Sequence, residues 1–149
     1  METSFYHAKG RFPGIFGWLF TTDHKRVGLL YLISTLSFFF VGVSLGLTMR
    51  LELIRSGMHF FSAQTYNALF TLHGVVMIFL FIIPGLPSSL GNFIMPMQIG
   101  ARDVAFPKIN ILSWWLFIMG GACAITSLFT GGGPPDTGWT FYVPYSIRT

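Results

Sequence analysis

The chain has 149 residues, of which 52% are hydrophobic, 17% aromatic and 9% charged, with a formal net charge of +4. A soluble domain carries about 25% charged residues, and a disordered chain is charge-rich and poor in aromatics, so both classes are excluded. A single cysteine, Cys123, rules out a disulfide scaffold, and the nine basic residues are too scattered to face a nucleic acid.

An all-α integral membrane protein in contact with a lipid bilayer is the class that remains. Residues 1–26 read as a cytoplasmic and interfacial segment, in which 14–20 lies along the membrane surface. Their apolar pieces are short and no small-residue cleavage site follows, so a signal peptide is not expected. The first span is expected over 27–49, the uncharged stretch between Arg26 and Arg50. At 1.5 Å per residue it makes about 35 Å of helix against about 30 Å of hydrocarbon.

The next uncharged stretch, between Arg55 and Arg102, is too long for one crossing. A second span is expected over 66–86, kinked by Pro84 at its inner end. Beyond it Pro87, Ser88, Ser89, Gly91, Asn92 and Pro96 should break the helix into a loop. The third span is expected over 109–130, before the Gly131–Pro135 run and Asp136 stop it. Lys9, Arg11, Lys25, Arg26, Arg102 and Lys108 fall on one side of these spans, and Arg50, Arg55 and Arg148 on the other. The positive-inside rule then puts the N-terminus and the second loop in the cytoplasm or its equivalent. A bacterial inner membrane suits this layout, and so does a mitochondrial inner membrane.

Three polar groups stand where a bilayer protein should avoid them. His73 has Leu69, Phe70, Val76, Met77 and Leu80 at helical spacing. It suits a haem-iron ligand, with Gly74 letting a flat macrocycle approach, and equally a packed histidine with one hydrogen bond to a neighbouring helix. Asp103 precedes the third span near Asn92, Asn110 and Ser113. It suits a proton-uptake path, and also a helix-terminal charge favoured by the macrodipole. Arg50 suits an anionic cofactor group or an interface anchor, with Glu52 two residues on. Gly42-Val-Ser-Leu-Gly46 is a GxxxG match that marks close helix packing. Cys123 reads as a small buried residue, His7 and His24 fall on the inner side, and His59 falls in the outer loop. No CxxC, HExxH or nucleophile elbow is present.

The chain resembles subunit I of the haem–copper respiratory oxidases. The resemblance rests on Thr21-Thr-Asp-His-Lys-Arg26, Met49-Arg-Leu-Glu-Leu53, Thr71-Leu-His-Gly74, Gly91-Asn92, Pro96-Met-Gln-Ile-Gly-Ala-Arg-Asp-Val-Ala-Phe-Pro107 and Thr137-Gly-Trp139. It implies that 27–149 is the N-terminal three-helix part of a larger subunit I bundle. It also implies that His73 is an axial ligand of a low-spin haem (a or b type), with Arg50 at its periphery and Trp139 near its propionates. Asp103 would open the D proton channel, continued by Asn92, Asn110 and Ser113. Glu52 and Gly57 would form an outer cation site. One departure is Asn110-Ile111, where the family often has two asparagines.

Quinol-oxidising relatives place a polar pocket where this chain has Val41, Leu45, Thr65 and Ala68. That difference favours cytochrome c as electron donor over quinol. The high-spin haem, the copper and the second low-spin ligand are expected from the remainder of subunit I, with other oxidase subunits as partners. The chain alone is not expected to be catalytic. Two functions stand open: part of an oxidase that reduces oxygen to water and pumps protons, or a non-catalytic assembly component or remnant that binds no haem.

The charge layout makes a direct prediction. In a Cys123→Ser background, Asp103→Cys should be labelled only from the inside and Trp139→Cys only from the outside. The opposite pattern would reverse the topology.

Overall fold

The computed structural model describes residues 14–54, 57, 60–130 and 133–147, all helical or irregular with no strand among them. Three helices are long and apolar enough to cross a membrane: His24–Glu52, Ala63–Gln98 and Pro107–Phe129. The chain is a multi-pass, all-α membrane protein.

A short helix, α1 (Ile15–Leu19), precedes the first span and leaves Ile15 and Phe16 exposed. Its end is tied down by the Trp115 indole N–H, which donates to the Leu19 carbonyl at 3.1 Å. The Arg26 guanidinium lies 5.3 Å from the Trp18 ring centroid, a cation–π contact. These contacts suit a segment lying along the membrane surface.

The first span, α2 (His24–Glu52), begins at Asp23, whose carboxylate caps the helix by accepting from Lys25 N–H at 2.8 Å. Its 29 residues make about 43 Å of helix, longer than the hydrocarbon, so the ends reach the aqueous boundaries. With the two sides labelled as the charge layout expects them, the outer cluster joins Phe38, Leu45 and Met49 of α2 to Leu69, Leu72, Val76 and Leu80 of the second span. An inner cluster joins Val27 and Tyr31 to Trp114 of the third.

The second span differs from expectation. It does not stop near residue 86; it runs as one continuous rod from Ala63 to Gln98. It is built of α3 (Ala63–Val75), two π-helical stretches (Val76–Ile82 and Gly85–Leu90) and α4 (Gly91–Gln98). The wide stretches bond five residues back, from Ile83 N–H to Ile78 O and from Gly91 N–H to Leu86 O. The rod ends at Gly100, whose φ of 68° is the left-handed conformation glycine supplies at helix C-termini.

The third span is α5 (Pro107–Thr126), with Pro107 in its first turn, extended by a 3-10 turn (Ser127–Phe129). Among its residues Trp114 and Gly121 are buried. Cys123, expected to be buried, is exposed, because this helix touches its neighbours along a narrow seam. The seam closes at Gly121, where a Cβ would overlap the Phe38 ring.

Gly121→Val should therefore wedge α2 and α5 apart. A destabilisation of about 1–3 kcal/mol is expected for such overpacking. It should appear as a lowered melting temperature of the purified assembly, and an unchanged one would refute the seam.

Candidate functional site

At the outer half of the bundle, His73 sits ten residues into the second span, roughly 15 Å from its start. The ring turns towards the first span, where Nδ1 lies 2.8 Å from the Gly42 carbonyl. A carbonyl can only accept, so Nδ1 carries a proton, and in the neutral ring Nε2 keeps its lone pair. Nε2 has no hydrogen-bond partner among the described residues. This single bond meets the packed-histidine reading, and it leaves the second nitrogen in the form a haem iron needs.

Residues about the ring are close. A Cβ at Gly46 would stand 3.2 Å from His73 Cε1, and one at Gly42 would meet Met77 Sδ at 2.5 Å. The GxxxG pair thus brings the two spans together as expected. Arg50 stands one turn beyond Gly46 on the same stripe and is exposed.

Gly74 has a different use from the expected one. The Trp139 indole fills the space above it, with Cδ1 2.9 Å from where a Cβ would lie. Trp139 also meets Phe79 edge-on at 5.8 Å. The segment carrying it is anchored by Gly138 N–H, which donates to the Thr71 hydroxyl at 2.8 Å. Trp139 and His73 are therefore brought to one end of the second span by a contact that sequence spacing could not show.

Further out, Glu52 is buried and accepts from Phe60 N–H at 2.9 Å. It shares a cavity of about 210 Å³ with Gly57, Phe61, Tyr66 and Asn67. Gly57 adopts a φ of 106°, outside the range open to most side chains.

At the inner end the polar residues form two hydrogen-bonded groups. Asp103 does not charge or cap the third helix, which starts at Pro107 without a side-chain cap. Its carboxylate instead takes His24 Nδ1–H at 2.9 Å and Val104 N–H at 2.7 Å. His24 is 5% exposed while the Asp103 side chain is 44% exposed, so the pair joins interior to surface. Asp103 lies in the loop before the third span, as expected, and Asn110 and Ser113 lie three residues apart on the helix that follows.

Deeper, Asn92 and Asn110 exchange amide hydrogen bonds at 2.6 and 3.3 Å, and Asn92 also donates to the Ser88 carbonyl at 2.5 Å. Ser113 bonds the Tyr31 hydroxyl at 2.8 Å and donates to the Asn110 carbonyl at 2.7 Å. Sequence spacing does not mark Tyr31 and His24 as members of this site, because their partners are about eighty residues away. The positions that replace a quinol pocket do not converge. Thr65 and Ala68 line a cavity of about 310 Å³ with Gln64, Leu69, Leu128 and Thr130. Leu45 and Val41 pack in the outer apolar cluster.

Among the described residues no three His, Cys, Asp or Glu side chains converge as a metal cluster would require. Lys9, Arg11, Arg55 and Arg148, used for topology, and His7 and His59 lie outside the described residues.

Comparison with known proteins meets this geometry. The family described as "Cytochrome C and Quinol oxidase polypeptide I" matches residues 26–149. The "Cytochrome c oxidase subunit 1" of Alkalihalophilus pseudofirmus is 47% identical over 134 residues, 90% of this chain and 21% of that protein. The corresponding subunit of Corynebacterium glutamicum is 44% identical over 131 residues, 87% of this chain and 22% of its own length. A "Heme-copper oxidase subunit I+III" of Aeropyrum pernix is 40% identical over 140 residues, 94% of this chain and 17% of the relative. The chain thus spans about a fifth of the length of these relatives. Sequence motifs, helical architecture and a match over most of its residues agree that the chain belongs to the haem–copper oxidase subunit I family.

Proposed function

We propose that the chain forms the low-spin-haem and proton-uptake part of a terminal oxidase that reduces oxygen to water and pumps protons. The observation that carries this reading is His73, whose Nδ1–H is committed to a backbone carbonyl while Nε2 is left with its lone pair. Bound haem iron would supply one-electron redox chemistry. His73 would give it one axial nitrogen, Arg50 a positive charge beyond Gly46, and Trp139 an apolar wall beside Gly74. Other parts of subunit I would supply the second axial ligand, the high-spin haem and the copper.

Asp103, Asn92, Asn110 and Ser113 would conduct protons from the inner surface, with His24 and Tyr31 joining them. An exposed carboxylate collects a proton, and a buried imidazole beside it can accept and release one. The asparagine pair bridges two spans. Glu52 and Gly57, on one cavity, would hold the outer cation.

Cytochrome c remains the better donor. Quinol oxidation needs groups that take two protons, and the cavity at Thr65 and Ala68 has no carboxylate, histidine or arginine among its lining residues.

In the complete assembly, His73→Ala should abolish the low-spin haem spectrum. An unchanged spectrum would return His73 to a packing role and favour the haem-free alternative. Asp103→Asn keeps an acceptor for His24 but cannot titrate. If Asp103 feeds the channel, turnover should fall on the order of a hundredfold with the haem spectrum intact. If it only anchors His24, asparagine suffices, and wild-type turnover and proton release would sink the assignment.

A further inference from the structure

We propose that Gly42 and Gly46 of the first span act together as a positioning clamp on the His73 ring, fixing its tautomer and its rotation. The inference rests on the reading of His73 as a haem ligand and adds what sets the ring's orientation and donor strength. Nδ1 lies 2.8 Å from the Gly42 carbonyl. In an α-helix that carbonyl also accepts from the Gly46 N–H, and its two lone pairs allow both bonds. One turn along, Gly46 meets the ring edge: a Cβ there would be 3.2 Å from Cε1, 3.5 Å from Nδ1 and 3.9 Å from Nε2.

The two glycines do different things. At Gly42 the absent side chain admits Met77, whose flexible thioether would meet a Cβ at 2.5 Å, and so lets the backbones approach. That approach brings the carbonyl within reach of the ring. At Gly46 the absent side chain leaves room for the ring itself. A methyl group there would push the imidazole by a few tenths of an ångström and lengthen the bond to Gly42.

A carbonyl bond to the far nitrogen makes a ligating histidine more basic and holds its plane. A more basic ligand favours the oxidised metal, so the clamp would hold the low-spin haem's reduction potential down. Gly42 and Gly46 are positioning residues, acting on the metal only through His73.

The test is Gly46→Ala in the complete oxidase. Alanine is the better helix former, so the span itself should be retained. The low-spin haem should remain, with altered electron-paramagnetic g-values and a raised midpoint potential. Full haem occupancy with wild-type g-values and potential would overturn the clamp. A second measurement needs no variant: in wild-type enzyme labelled with ¹⁵N-histidine, electron–nuclear double resonance should detect an Nδ1 proton on the axial ligand. That proton should exchange slowly into D₂O. Its absence or immediate exchange would also overturn the clamp, and this result decides if Gly46→Ala loses its haem. Should His73→Ala keep its low-spin signal, the ligand assignment itself fails, which separates the two claims.

Discussion

Hydrocarbon offers no hydrogen-bond partner, so every polar group the chain carries into the bilayer must be matched from within. That constraint explains the fold more fully than apolar packing does. It keeps the second span helical through Pro84 and Pro87, with wide turns on both sides of Pro84. It folds the hydroxyls of Ser34, Ser37, Ser44 and Thr48 back onto carbonyls of their own helix. It also pairs Asn92 with Asn110, and His73 with Gly42, across neighbouring spans. No buried side-chain nitrogen or oxygen among the described residues lacks a partner.

The first span links the two polar regions. Its inner end offers His24 to Asp103, Tyr31 to Ser113 and the Gly28 carbonyl to Ser89. Its outer end offers Gly42, Gly46 and Arg50 to the neighbourhood of His73. Between them lie Thr35 and Phe38, both buried. One rigid helix therefore backs both candidate functions while keeping them at opposite membrane depths.

Much of this was legible in the chain because charge is so rare in it. Arg26, Arg50, Lys108 and Asp136 bracket the first and third spans, and a hydrocarbon slab tolerates no other arrangement. His73 and Asp103 stood out for the same reason. Their partners did not. Gly42 contributes a carbonyl, which no residue pattern advertises, and Gly74 seats an indole delivered from sixty-five residues away. Proline and glycine between 84 and 96 look like a loop by local rules. Backbone satisfaction in lipid overrides those rules and extends the rod to Gln98.

The wide turns have a consequence for rotational phase. His73 and Asn92 occupy the same rod, one on each side of the π-helical stretches. The angle between them about the rod's axis is set by how many residues those stretches contain. Deleting one residue there, with the turns otherwise kept, would swing Asn92 by about a quarter turn relative to His73. Asn92 would then face away from Asn110 while His73 kept its place. The wide turns thus serve as an angular spacer: they fix the dihedral offset at which one helix addresses two different neighbours.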